Sequence, residues 1–506
     1  MESSEDFCFF DPTATDTFLL PQRRLGSVPN RLLHDLDSVE TLKSEQSSGR
    51  YGLTSHAKRT KLLGSKAAFS SKRVVKCIYS YLPYEYALRH RRICTTFNEV
   101  LGTIPMDFQA HGERSVRLTK HIGGLTKPNT AVRELSLGCL RDTVRAVEMD
   151  GLCRAFENGV LPNLRRLHVE LHPESGEVGV FRLLAALSTS PLSSLVELDI
   201  SGSYIGQSSA RKLSDVLCGN EWSGVKKLGI ARNGTGEYGT KFLVKGLSSK
   251  EGCGRGLELL NMARNDIGKG FKTLPKAVGS AFRELRTLDI SNNGIDADAV
   301  ASASTECMVP LEKHSLTWLD ASFNVMGDLG AKELVKLMFS FKTSLTFLDL
   351  AGLDGGVEFA IAISEAMGEG GFQVLEELNI SGNSISRQGC ERIMRTVGSC
   401  PKLELLNIRN CMLGDNGVNE LVGGMRVGRL EALKVLNISA NNVLKSLINV
   451  AECLKQGWCK NLRVLDVSKN APTGEVKGGL WCWKHKHFTE GRLKIVEDEK
   501  PQSWRD

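Results

Sequence analysis

From about residue 132 onward, apolar residues recur in a nine-residue pattern, L-x-x-L-x-[LIV]-x-x-N. Clear copies begin at Leu257 (LELLNMARN), Leu285 (LRTLDISNN), Leu316 (LTWLDASFN), Leu375 (LEELNISGN), Leu433 (LKVLNISAN) and Leu462 (LRVLDVSKN). Weaker copies begin at Val132, Leu164, Leu195, Val225, Leu345 and Leu403, so twelve units follow one another at steps of 28 to 32 residues. Within a unit the L-x-[LIV] alternation puts two apolar side chains on one face of a short strand. The Asn at the ninth place (Asn233, Asn265, Asn293, Asn324, Asn383, Asn441, Asn470) can bond backbone groups across the turn that follows. A second apolar pattern then appears at helical spacing. In GAKELVKLM, Ala331, Leu334 and Leu337 share one face, and in GVNELVGGM, Val418, Leu421 and Met425 do. One such unit cannot bury its own apolar face, but stacked neighbours can. The prediction is an α/β solenoid with a parallel sheet inside a curve and helices outside.

In this pattern the chain resembles the leucine-rich-repeat superfamily, and its period, with a helix in each unit, is most similar to the ribonuclease-inhibitor subclass. The resemblance covers an array over residues 131–480 and implies a horseshoe-shaped solenoid that binds other macromolecules. The first units are degenerate, with Leu140 and His172 at the ninth place, as expected of capping units. The Leu345 unit has Leu353 there. Pro472 breaks the last copy. Beyond it Trp481, Cys482, Trp483 and Phe488 can cover the exposed end of the core, with residues 481–506 forming a C-terminal cap or tail.

Strand places pointing away from the core line the concave surface. The third places include Leu259, Thr287, Trp318, Phe347, Glu377 and Leu405. The fifth places are almost all Asp or Asn, among them Asp289, Asp320 and Asp349, and Arg232 and Arg264 occupy the eighth place of adjacent units. This outlines a groove for a protein partner, with Trp318 and Phe347 as aromatic anchors beside an acidic row, because interface hot spots favour Trp, Tyr and Arg. Two blander readings stand beside it. The acidic row can be a structural feature of the repeat, and the two aromatics can be a local packing pair.

The segment before the repeats follows different rules. Residues 1–65 are polar, rich in Ser and Thr and without periodicity, and are expected to be largely disordered. In KRVVKCIYSYLP, Val74, Val75, Ile78 and Leu82 fall at helical spacing, and Pro83 ends that helix. In LRHRRICTTFNEVL, Ile93, Phe97 and Leu101 lie four residues apart, with Cys94 beside them. IYSYLP (Ile78 to Pro83) and RRICTTFNEVL (Arg91 to Leu101) resemble an F-box over about thirty residues. Ser70-Ser71 replace its usual opening Leu-Pro, and Tyr86 its usual acidic residue. The resemblance implies a Skp-type adaptor and a cullin as partners, contacted through Ile78, Leu82, Pro83, Ile93, Cys94 and Phe97. In proteins where an F-box precedes leucine-rich repeats, the repeats select the substrate of a ubiquitin ligase. The alternative is that residues 66–130 are a helical cap on the first repeat.

Charge and composition adjust this picture only slightly. Lys and Arg outnumber Asp and Glu by 15 to 4 over residues 50–130, are outnumbered 4 to 9 over residues 1–49, and nearly balance, 46 to 45, over the rest. A basic segment can contact nucleic acid, but a solvated helical surface accounts for it as well. The fourteen cysteines form no CxxC pair, and the acidic start, MESSEDFCFF, does not read as a signal peptide. An intracellular protein of the cytoplasm or nucleus with reduced thiols is expected, and no membrane partner. Catalytic patterns are missing. The glycines of GCGRG (Gly252 to Gly256) precede a strand, where a dinucleotide loop would follow one, and Cys482, His485 and His487 lack a fourth metal ligand. A binding protein without cofactor or metal is expected. The alternatives are a repeat scaffold or sensor with no ligase link, or a small-GTPase regulator. The repeats are similar in period to leucine-rich-repeat Ran GTPase-activating proteins, but the tail here is mixed in charge where those carry a long acidic one.

Overall fold

The computed structural model describes residues 106–110, residue 122, residues 128–470 with short interruptions, and 494–496. The segment expected to be disordered and the F-box-like residues Ile78, Leu82, Pro83, Ile93, Cys94 and Phe97 lie outside the described residues. All described residues belong to one compact unit, Lys76–Asp506.

That unit is a leucine-rich-repeat solenoid built on one parallel sheet of fourteen strands in strict chain order. The twelve strands expected from the pattern run from β2 (Val132–Leu137) to β13 (Val464–Asp466). The sheet goes further at each end, to β1 (Met106–Ala110) and β14 (Lys494–Val496). Strand β14 pairs with β13 in the same parallel register, Val464 opposite Lys494. Neither added strand carries the ninth-place Asn, which is why the motif does not reveal them.

Each typical strand is only three residues long, spanning the third to fifth places of its unit. In β8 (Trp318–Asp320) and β9 (Phe347–Asp349) the central Leu319 and Leu348 are buried while the residues on either side are half-exposed, as period-two alternation requires. Helices on the return path, such as Gly327–Met338 and Gly414–Arg426, bury Ala331 and Leu334, and Val418, Leu421 and Met425, respectively. One continuous core therefore runs from Ile122 to Val467. Adjacent strands sit about 4.8 Å apart and adjacent helices roughly 8–10 Å apart. Joining the two layers unit by unit bends the array, with the sheet on the inside. The unit beginning at Leu257 departs from the expected single helix. It has a 3-10 turn, Gly268–Thr273, before a short helix, Leu274–Ser280. Pro275 explains the break, since it has no N–H to donate and fits only in a first helical turn.

The ninth-place asparagines seal one unit to the next. All seven are buried, Asn265, Asn293, Asn324 and Asn441 completely. Asn293 Nδ2 donates to the carbonyl of Ile290 in its own unit (2.8 Å) and of Met262 in the preceding one (3.0 Å), while its Oδ1 accepts the N–H of Asn265 (2.7 Å). Two units without Asn fill the place with a weaker substitute. Ser203 Oγ donates to Val169 O and accepts the N–H of Leu171, both at 3.0 Å. Cys411 Sγ reaches Ile380 O at 3.3 Å. A second seal lies on the helical side. Asp328 accepts the N–H groups of Gly356, Glu358 and Phe359 at 2.7 to 3.1 Å, and so caps the helix Val357–Gly368 of the next unit. Asp415 does the same for Leu444, Lys445 and Ser446 ahead of Leu447–Lys455. Burial raises the Asp415 pKa, but these N–H bonds outweigh it and hold the carboxyl below its usual value.

Replacing Asn293 by Ala orphans buried backbone groups in two units. Each orphan costs about 1–3 kcal/mol, so the array is expected to lose about 3 kcal/mol or more. Asn293→Cys, which copies Cys411, should lose roughly half as much. Urea unfolding of the two variants beside the parent checks this, and equal midpoints for all three would contradict it.

Candidate functional site: the concave face around Trp318

Strands β7 (Thr287–Asp289), β8, β9 and β10 (Glu377–Asn379) present their third and fifth places on one face. The register sets Thr287, Trp318, Phe347 and Glu377 side by side, and Asp289, Asp320, Asp349 and Asn379 in a second row. The rings of Trp318 and Phe347 stack, with centroids 4.6 Å apart and planes 9° from parallel. They are each other's packing partner, and both remain half-exposed on the sheet. The two readings of these residues therefore coincide: the pair is locally packed, and it presents a stiff aromatic surface to solvent.

The acidic row has a structural part. Asp289 and Asp320 each accept, through Oδ1, the N–H and the hydroxyl of the serine two residues on, Ser291 and Ser322, at 2.6 to 3.0 Å. Asp349 accepts the N–H of Ala351 at 2.9 Å. That duty does not need a charge. Asn261, Asn379, Asn407 and Asn437 fill the same place in other units and accept the same bond through Oδ1. Three neighbouring carboxylates carry a cost instead. Burial, followed by the negative charge of Asp320, pushes the Asp349 carboxyl up to about 6, with Asp289 adding to the rise. The Ala351 N–H and the amide of Asn379, which donates to Asp349 Oδ2 at 2.8 Å, oppose it.

The two arginines are not part of this cluster. They belong to the units of β5 (Lys227–Gly229) and β6 (Leu259–Asn261), three and two strands from Trp318, or about 14 and 10 Å along the sheet. Arg232 forms an ion pair with Glu170 at 3.6 Å, reaching back two units. The path crosses Gly202, where a Cβ would come within 2.8 Å of Glu170 Oε1. Glu170 is itself buried, and that burial raises its pKa against the pull of Arg232. Arg232 therefore links its unit to the one two before it, and Arg264 is exposed.

A backbone rule that the motif did not reveal governs these eighth places. Gly202, Arg232, Arg264, Asn292, Phe323, Gly352, Gly382, Asn410, Ala440 and Lys469 all have φ between 51° and 72°. A non-glycine residue there costs about 1–2 kcal/mol. The frequent Gly and Asn at this place were the available signal. Phe323 is the exception in kind, since bulky residues rarely adopt this conformation. Its ring lies over Gly352, where a Cβ would sit 2.9 Å from Phe323 Cδ1, and the residue remains 48% exposed. In the same unit Val325 is 69% exposed. The unit that carries Trp318 thus also shows an apolar rim.

Among the described residues no group of three or more His, Cys, Asp and Glu could hold a metal ion, and no helix is long and apolar enough to cross a membrane. Most of the cysteines described are buried as small apolar side chains, and burial pushes the thiols of Cys253, Cys390 and Cys411 up to about 12.

These features define a leucine-rich-repeat solenoid with an aromatic and acidic concave face. A family model described as "Leucine Rich repeat" matches residues 373–394. The chain is similar to the ribonuclease inhibitor of Sus scrofa, at 27% identity over 380 residues, which is 75% of this chain and 76% of that protein. The ribonuclease inhibitor of Mus musculus is also 27% identical, over 64% of this chain and 67% of its own length. The Tonsoku-like protein of Bos taurus is 25% identical over 69% of this chain but only 22% of that protein. Among solved structures, an internalin from Listeria monocytogenes aligns with 82% of this chain and 95% of its own, at 14% identity and a TM-score of 0.43.

Asp349→Asn is expected to raise the thermal midpoint at pH 7 and to leave it nearly unchanged at pH 4. The folded-state pKa lies above the unfolded value of about 3.9, so the native chain holds this proton more tightly. The stability it contributes is complete below that value and is lost as pH rises through about 6. Thermal melts of both proteins across this range check it, and a variant less stable at pH 7 would contradict it.

Proposed function

We propose that the chain is a non-catalytic recognition protein whose concave repeat face holds a protein partner at Trp318 and Phe347. The observation that carries this is the stacked, half-exposed aromatic pair on an open sheet face. Such a pair offers a large contact area with little left to order on binding. The similarity to proteins named as inhibitors of ribonuclease, itself a protein, supports a partner of macromolecular size. On this reading Asp289, Asp320 and Asp349 set the charge of the groove, Arg264 lies at its edge, and Arg232 has a structural role.

The finer reading is that of a substrate receptor in a cullin–RING ubiquitin ligase, working inside the cell. Its support is the sequence match at Ile78 to Pro83 and Arg91 to Leu101. Residues 66–130 would bind the Skp-type adaptor, and the repeats would select the substrate. The chain then supplies proximity and orientation, and its partners supply the transfer chemistry.

Trp318→Ala is expected to weaken partner binding by about 2 kcal/mol or more without unfolding the array. Titration of the purified partner checks this, and unchanged affinity would remove the face from the proposal. Affinity purification of the tagged chain, beside a Leu82→Asp, Pro83→Ala, Phe97→Asp variant, tests the ligase reading. The Skp-type adaptor and a cullin should accompany the parent and be lost with the variant. If neither accompanies the parent, residues 66–130 cap the first repeat and the protein is a scaffold with no ligase link.

A further inference from the structure

The third places of the sheet change character along the array. Near its N-terminal end they are Glu134, Arg166, Glu197 and Lys227, alternating in sign. Arg166 pairs with Glu134, and Lys227 with Glu197 at 3.7 Å, so this stretch satisfies its own charge. From β6 onward the row reads Leu259, Thr287, Trp318, Phe347, Glu377, Leu405, Val435 and Val464, set side by side by the strand register. All are half-exposed except Glu377, which is exposed. The solenoid does not require apolar residues at this place, because paired charges fill it at the other end. An apolar row left on a surface marks a place where another molecule is bound.

This row has a pitch and one charge. The strands from β6 to β13 follow one another at about 4.8 Å, which spreads the row over roughly 34 Å. An extended segment repeats its same-face side chains every ~6.6 Å and soon falls out of step with that pitch. An α-helix lying across the strands steps its apolar stripe by three or four residues, about 4.5 to 6 Å, which brackets the pitch. A helix of about 22 residues covers the whole row. Glu377 stands in register between Phe347 and Leu405. Among the described residues it has no ion pair and no side-chain hydrogen bond. An apolar surface laid over it would strip water from an unpaired carboxylate, which is strongly unfavourable unless that surface brings a cation.

We propose that the concave face holds an amphipathic α-helix of its protein partner, laid across β6 to β13 with its apolar stripe on this row and one lysine or arginine near its middle over Glu377. This rests on the reading of the concave face as a protein-binding site. The stacked Trp318 and Phe347 supply the widest contact, and Leu405, Val435 and Val464 continue the strip beyond Glu377. Anchors one helical turn apart then meet successive strands. The cation at Glu377 fixes which turn meets which strand, and a helix with an acidic residue there is rejected.

The test selects binders of the full chain from a displayed library of protein segments about 24 residues long, tiled from the proteome of its own cells. Selected segments are expected to carry apolar residues at i, i+3, i+4 and i+7 with a basic residue inside the stripe. In fluorescence-anisotropy titrations of these peptides, a proline placed at the centre should weaken binding by about tenfold or more. Glu377→Lys should weaken it by a similar factor, and a peptide whose basic residue is changed to Glu should prefer that variant to the parent. The double variant Leu405→Glu, Val435→Arg copies the paired Glu134 and Arg166, so its thermal midpoint should stay close to the parent's while binding falls about tenfold. Selected segments without helical spacing, no selected segment at all, peptides that tolerate the proline, or variants that bind like the parent would each overturn the proposal. Trp318→Ala separates the two levels. If peptides lose affinity for it yet tolerate the proline, the face binds protein but not as a helix. If Trp318→Ala keeps every peptide and every partner purified with the chain, the protein-binding reading of the face fails as well.

Discussion

The array depends on what happens to backbone groups at the ends of its strands. A strand of three residues leaves most of its turn unpaired, and those N–H and C=O groups are buried between units where water cannot reach them. The ninth-place amide both donates and accepts there, and it does so for two units at once. With the turn held this way, the three-residue strands stay in register, the central leucines stay in the core, and the third and fifth places face outward. The position of the aromatic pair is therefore a consequence of the amides beneath it.

Against this background the concave face divides by origin. Its fifth-place acceptors belong to the repeat, since Asp and Asn serve equally. The choice of Asp at three neighbouring strands, and of Trp and Phe beside them, does not follow from the repeat. The raised Asp349 carboxyl shows that the choice opposes stability. Sites where local residues work against the fold are where function is to be sought.

The architecture was largely legible in the sequence, because it depends on residues at fixed spacing: the alternating leucines, the ninth-place asparagines and the helical returns at Ala331, Leu334 and Val418. The candidate site was legible as a list of residues and not as a geometry. That Trp318 and Phe347 stack, and that Asp289, Asp320 and Asp349 adjoin one another, needs the strand register. Arg232 read as a partner to a ligand, but it pairs with Glu170 sixty-two positions earlier, through a gap that Gly202 leaves open. The left-handed eighth place escaped because arginine, phenylalanine and lysine occupy it alongside glycine and asparagine. The terminal strands β1 and β14 lack the ninth-place Asn and join the sheet in parallel register.

The amide bonds between units all reach backward, from each unit to the one before it. Asn265 bonds Ile230, Asn293 bonds Met262, and Asn470 bonds Ile438. A nascent chain leaving the ribosome therefore never closes its newest unit by itself. The turn just made waits for the amide some thirty residues behind it in synthesis, and is locked when that residue emerges. Growth of the solenoid is thus vectorial, and a chain that stalls midway exposes one unsealed edge, always at its newest, C-terminal unit.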